Sequence, residues 1–146
     1  MVYVTRRATF SAAHRLYNPR LSDAENEAIY DKCANEHGHG HNYIVEVTVA
    51  GEPRVETGYV IDLKKLKEIV GREIIERVDH KHLNLDVDFM QDTIPTAENI
   101  ARAFWKVLYP KITEGTLYSI RLHETENNVV EYRGERPCPR QGTIKP

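Results

Sequence analysis

Apolar and polar positions alternate from the first residues of the chain, and the period changes several times along it. Over Val2 to Ala13 the two-residue period predicts a half-buried strand, with Phe10, Ala12 and His14 on one parity. Small residues around His14 leave room for a group to approach the backbone closely. Leu21 to Ala28 predicts a short helix with Ser22 as its N-cap. Asn42 to Gly51 carries the clearest strand pattern, because Tyr43, Val45, Val47 and Val49 alternate with more polar neighbours. Glu52-Pro53 and Thr57-Gly58 mark a turn before a second short extended piece, Tyr59 to Ile61.

The period then lengthens. Asp62 is placed to cap a helix in which Leu63, Leu66, Ile69, Val70, Ile74 and Val78 recur at three- and four-residue spacing. Gly71 inside it costs up to about 1 kcal/mol relative to alanine. Thr96, after Pro95, caps another helix with Ile100, Phe104, Val107 and Leu108 on its apolar face, and Pro110 ends it. Leu117 to Glu124, with Tyr118, Ile120, Leu122 and Glu124 on one face, and Val129 to Arg133 return to alternation, and the Thr125-Glu126-Asn127-Asn128 turn between them predicts a hairpin. Beyond Gly134 periodicity stops, so a domain of residues 1–134 and a surface or unstructured tail, 135–146, are expected. The order predicts an α+β fold, an antiparallel sheet with the two main helices on one face. Its exposed edges invite coverage in an oligomer.

A length of 146 residues is enough for one domain with its own core. A net charge of −2 supplies no global attraction for nucleic acid or an anionic membrane, so any phosphate site has to be a local cluster of Lys and Arg. The start, Met1 to Arg7, lacks the apolar run of a signal peptide, and no later segment is apolar enough to span a bilayer. Cys33 and Cys138 are too few for a disulfide framework and are expected as reduced thiols in a cytoplasmic protein.

Chemistry concentrates in Cys33-Ala34-Asn35-Glu36-His37-Gly38-His39-Gly40-His41-Asn42-Tyr43. Histidines two apart on an extended backbone point to one side, and His37, His39 and His41 share parity with Tyr43 and Val45. Neutral imidazoles suit zinc, copper, iron or nickel, and zinc is the default for nitrogen-only ligands. Three such ligands leave a fourth position open, as at a catalytic site. The alternative is a solvated, glycine-rich loop with incidental histidines.

Four segments in order, Phe10-Ser11-Ala12-Ala13-His14-Arg15-Leu16, Cys33 with His39-Gly40-His41-Asn42-Tyr43, Val78-Asp79-His80-Lys81-His82-Leu83-Asn84 and Leu122-His123-Glu124-Thr125-Glu126-Asn127-Asn128, resemble the 6-pyruvoyltetrahydropterin synthase family. The resemblance runs from about Phe10 to Gly134. It implies the tunnelling fold assembled into a barrel-like homo-oligomer, a hexamer of two trimers, with zinc held by His14, His39 and His41. It implies Cys33 as the proton acceptor, Asp79 and His80 as a proton relay reaching across a subunit boundary, and Glu124 as the anchor of a pterin ring. His37 and His82 receive no role. The implied substrate is 7,8-dihydroneopterin triphosphate, converted to 6-pyruvoyltetrahydropterin for tetrahydrobiopterin biosynthesis with release of triphosphate.

The sequence also fits relatives. Cys33-x-x-x-His37-Gly38-His39 matches the spacing of the 6-carboxytetrahydropterin synthases of queuosine biosynthesis. Glu36-x-x-His39-Gly40-His41 matches the pattern of folate-type side-chain lyases, in which Glu36 would be an alternative base. Asn42-Tyr43 after the second histidine favours the pyruvoyl-forming register. A non-catalytic pterin- or metal-binding module would keep His14, His39, His41 and Glu124 without needing Cys33, Asp79 or His80.

Overall fold

The structure, a computed structural model, describes residues 1–135. The expected tail therefore lies outside the described residues except for Glu135, as does Cys138. Five strands, β1 (Val2–His14), β2 (His39–Gly51), β3 (Lys81–His82), β4 (Thr116–His123) and β5 (Val129–Tyr132), form one sheet in the order β3-β1-β2-β4-β5. Helices α1 (Asp23–Tyr30), α2 (Leu63–Val70), α3 (Glu76–Val78) and α4 (Ala97–Leu108) complete the fold. All pairings are antiparallel except that of β3, which lies parallel to Ala12–Ala13 of β1.

The expected alternation holds in β1 and β2, which pair along their whole length from Val2 opposite Gly51 to His14 opposite His39. Tyr43, Val45, Val47 and Val49 are fully buried against the helices, joined by Phe10 and Ala12. The Phe10 and Tyr43 rings stack with centroids 4.8 Å apart. The α4 face is built from Ile100, Ala101, Phe104 and Leu108, and Thr96 caps it by accepting the Asn99 N–H. The two main helices thus cover one sheet face, as expected.

Three local expectations change. The helix capped by Asp62 is not uniform: a π-turn, Gly71–Ile75, separates α2 from α3. The wider turn keeps Val70, Ile74 and Val78 buried in succession, while Leu63 stays exposed. Tyr59 to Ile61 is not a strand. The Arg54 carbonyl accepts from Gly58 N–H at 2.7 Å and the Arg54 N–H donates to Tyr59 at 3.0 Å, so the segment turns and lowers Val60 and Ile61 into the core. Finally, the β2–β4 register shifts between Thr48 and Val49, so Leu117 takes the core position expected for Tyr118. Tyr118 instead meets Tyr3, ring centroids 4.7 Å apart. Ile120 and Leu122 keep their inward parity. Among the described residues no helix is long and apolar enough to cross a membrane.

Candidate metal centre and the clefts around it

The β1–β2 register places His14 opposite His39 and Ala12 opposite His41, which brings three imidazoles onto the helix-covered face at one end of the sheet. Their ligand-capable nitrogens all lie within 4.8 Å of one another. His14 Nε2 and His39 Nε2 are 3.1 Å apart. His14 Nδ1 lies 2.8 Å from the carbonyl of Pro95, so an Nδ1–H donates there and Nε2 is left with its lone pair toward the other two rings. His41 Nε2 is buried with no hydrogen-bond partner. Such an orphan is costly unless something absent from the polypeptide satisfies it. A divalent ion at the centre of the three nitrogens meets that need, and the all-imidazole donor set fits zinc.

Protonation agrees with this use. Burial pushes the His14 pKa down to about 4, helped by the nearby His39, His41 and His82 and partly opposed by the Pro95 hydrogen bond. His41 is lowered too, chiefly by burial, with Glu124 pulling the other way. Both rings are therefore neutral at pH 7 and able to bind a metal. For the metal-free protein the sign follows directly. Between pH 6.5 and about 4 the unfolded chain takes a proton at this position that folded His14 refuses, so stability falls as the pH drops through that window. The expected loss from this residue alone is about 3 kcal/mol, read from denaturant midpoints at pH 7 and pH 4.5.

His37 does not join the cluster. Gly38 adopts φ +73° and donates its N–H to Asn35 at 2.9 Å, so a turn precedes β2 and breaks the alternation, leaving His37 exposed. A side chain at Gly38 would place Cβ 2.6 Å from the His14 carbonyl oxygen and 3.1 Å from His82 Nε2. Gly38→Ala is accordingly expected to cost at least about 1–3 kcal/mol and to weaken metal retention, checked by thermal melts with and without zinc.

Around this centre the structure distributes the other expected residues over three faces. Glu124 follows β4 and lines a cleft of about 550 Å³ with Leu16, Tyr30, Thr96, Glu98 and Asn127. Its N–H donates to the Asn128 carbonyl, and its charge acts on His41 and Tyr43. Cys33 lies half-buried on a single 3-10 turn, Asp31–Ala34, and its carbonyl accepts the Leu16 N–H at 2.8 Å, two residues beyond His14. Glu36 is exposed beside Arg15. Asp79 and His80 stand apart from these. The Ser11 N–H donates to Asp79 Oδ1 at 2.9 Å and His80 N–H to the Ser11 carbonyl at 2.7 Å. Asp79 Oδ2 and His80 Nδ1 are 3.0 Å apart. The Ser11 N–H, with help from His80, holds the Asp79 carboxyl below the usual range. His80, at φ +58°, has an 83% exposed side chain over a second cleft of about 540 Å³ that it lines with Ser11, His41, Asn42 and His82. Among the described residues, no hydrogen bond or ion pair joins this dyad to Cys33.

Sequence reasoning missed the Pro95 carbonyl that orients His14, and also Asn84. The Asn84 side chain accepts the Arg15 N–H and donates to the Arg15 carbonyl, both at 2.8 Å, so it holds the chain just past His14. A backbone acceptor leaves no residue-type signal. Asn84 sat in a recognised motif without a role.

The fold and the cluster define an α+β protein of the tunnelling-fold type, whose three histidines could hold one metal ion beside a cleft lined by Glu98 and Glu124. Residues 3–135 match the 6-pyruvoyl tetrahydropterin synthase family, and the chain belongs to it. It is 44% identical to the 6-pyruvoyl tetrahydrobiopterin synthase of Drosophila melanogaster, covering 100% of this chain and 86% of that one. Identity to the human synthase is 46%, over 90% of this chain and 91% of the relative. The solved structure of the Caenorhabditis elegans enzyme superposes with a TM-score of 0.87 at 40% identity, covering 92% of this chain and 96% of that one. A 6-carboxy-5,6,7,8-tetrahydropterin synthase from Rickettsia bellii is 29% identical, over 90% of this chain and 99% of that one.

Proposed function

We propose that the protein is a zinc-dependent lyase that converts 7,8-dihydroneopterin triphosphate to 6-pyruvoyltetrahydropterin with release of triphosphate. The observation that carries this reading is the His14–His39–His41 cluster beside Glu124, in a chain about as similar to the insect and human pyruvoyl-forming synthases as quoted above. Zinc bound by the three histidines would acidify the hydroxyl oxygens of the substrate side chain and stabilise negative charge developing there.

The polypeptide's own part begins at Glu124. Its carboxylate suits the adjacent ring N–H and 2-amino donors of a pterin, which it can accept in bidentate fashion. Cys33 is the proton acceptor at the side-chain carbon, carried on a turn whose backbone is tied to Leu16 just past His14. Asp79, ionised and pinned by Ser11, orients the His80 imidazole for proton relay. Because His80 opens on a different face from the Glu124 cleft, it would serve the site of a neighbouring subunit. That reading calls for a homo-oligomer in which sheet edges pair into a barrel, two trimers making a hexamer. We place the working unit in residues 1–134 and the protein in the cytoplasm, with no nucleic-acid or membrane partner.

The second reading is 6-carboxytetrahydropterin synthesis, favoured by the Rickettsia relative and by the Cys33-x-x-x-His37 spacing. Exposure of His37 outside the cluster weighs against that register. Incubating zinc-loaded protein with 7,8-dihydroneopterin triphosphate and identifying products by mass spectrometry decides between them. A pyruvoyl pterin with free triphosphate is expected; a carboxy pterin with acetaldehyde would transfer the chain to the queuosine branch. A hydroxymethyl pterin would mark a folate-type lyase, and no turnover despite pterin binding a non-catalytic module.

A further inference from the structure

Immediately past the metal cluster the chain carries two arginines, Arg15 and Arg20, that line one cleft. Arg15 follows His14, and its side chain lies in a cleft of about 510 Å³ shared with Tyr17, Arg20, Asn84, Gln91 and Thr93. The cleft also reaches Ile94, next to the Pro95 that orients His14, so two chain segments pass directly from metal centre to cleft wall. Among the described residues neither guanidinium makes an ion pair.

The backbone at both arginines is held by side-chain amides, the half-buried Asn84 at Arg15 and Asn18 at Arg20. Arg15 Nε donates to the Ala34 carbonyl at 2.9 Å, and its guanidinium lies 4.0 Å from the Tyr17 ring centroid. Asn84 grips the Arg15 backbone from both sides. The loop bearing Arg20 is organised by Asn26, which is fully buried. The Asn26 side chain accepts the Asn18 N–H at 2.7 Å and donates to the carbonyls of Asn18 at 2.9 Å and Ser22 at 3.0 Å. Asn18 Oδ1 in turn accepts the Arg20 N–H at 3.0 Å. Fully buried asparagine in a surface loop has a steep desolvation cost, offset here because each polar atom is bonded. What it secures is the backbone that carries Arg20.

We infer that this cleft binds the triphosphate leaving group of the substrate, with Arg15 and Arg20 as its two guanidinium ligands. The inference rests on the pterin triphosphate reading above and adds the second half of the substrate to it. In the elimination a proton leaves one side-chain carbon and triphosphate leaves the next, taking the C–O electron pair as a carbon–carbon double bond forms. Planar guanidinium groups accept that growing oxyanion charge through paired N–H donors. Glu36 and Asp92, both exposed, stand at the rim with opposing charge and would limit how tightly free triphosphate is retained after release.

The test titrates zinc-loaded, full-length protein with inorganic triphosphate and, separately, with unphosphorylated 7,8-dihydroneopterin, by calorimetry. Arg20 and Asp92 are exposed, so Arg20→Gln and Asp92→Asn leave the fold intact; asparagine also tolerates the left-handed backbone at position 92, φ +59°. Arg20→Gln is expected to weaken triphosphate about tenfold and Asp92→Asn to tighten it about threefold, with dihydroneopterin affinity unchanged in both. Equal triphosphate affinity in all three proteins overturns the cleft assignment and, with dihydroneopterin still bound, leaves the pterin reading standing. If triphosphate follows the two substitutions but wild type binds no dihydroneopterin, the anion cleft stands and the pterin reading falls.

Discussion

Replacing His41 by alanine is expected to yield a folded protein that no longer retains zinc and turns its substrate over about a thousandfold more slowly. The rate estimate follows from the several kcal/mol that a bound metal supplies to developing charge. His41 is a better test than His14. The latter is buried and hydrogen-bonded to Pro95, so its removal would also leave a cavity and an unpaired carbonyl. His41 Nε2 has no partner within the polypeptide, so truncation relieves an orphaned polar atom. The metal-free variant should therefore be as stable as metal-free wild type, or up to about 1 kcal/mol more stable. Zinc should raise the melting temperature of wild type and not of the variant. Equimolar zinc retained by His41→Ala would remove this residue from the ligand set.

The second large effect is expected at Cys33. Cys33→Ala should lower kcat by about 10²–10⁴-fold, the range for loss of a positioned proton acceptor. Zinc content and melting temperature should not change. The bond that ties this turn to the sheet runs from the Leu16 N–H to the Cys33 carbonyl, which alanine preserves. Glu36→Gln, at an exposed position, serves as the paired comparison. If Glu36→Gln stops turnover and Cys33→Ala does not, the base is the carboxylate and the folate-type reaction is the correct one. Identical products from wild type and Glu36→Gln confine Glu36 to the rim of the anion cleft.

These residues also show what a linear reading can reach. The strands around the centre were legible because the same alternation that buries Tyr43, Val45, Val47 and Val49 also sets the parity of His39 and His41. The helix capped by Asp62 was legible as an apolar face, but its π-turn was not. A widened turn leaves the burial pattern nearly unchanged while altering the backbone ladder. Tyr118 was assigned to the wrong face because a one-residue shift in register inverts every parity beyond it, and the bulge lies in the pairing with β2.

Parity and residue type by themselves determined the sheet, the two covering helices, and a short list of histidines with metal-binding chemistry. Parity alone could not choose among His37, His39 and His41, since all three share it, and the resemblance that named His14, His39 and His41 gave no physical reason. That choice was tertiary: Gly38 turns at positive φ, sends His37 to solvent, and the β1–β2 register then supplies His14 from 25 residues away as the third imidazole. The separation of Asp79–His80 from Cys33, and the anchoring of Arg15 by Asn84 across 69 residues, are likewise decided only when strands pair. Periodicity reports which side of one element faces the core. Which residues from distant elements meet there depends on register and loop geometry, set by the packing of the whole chain.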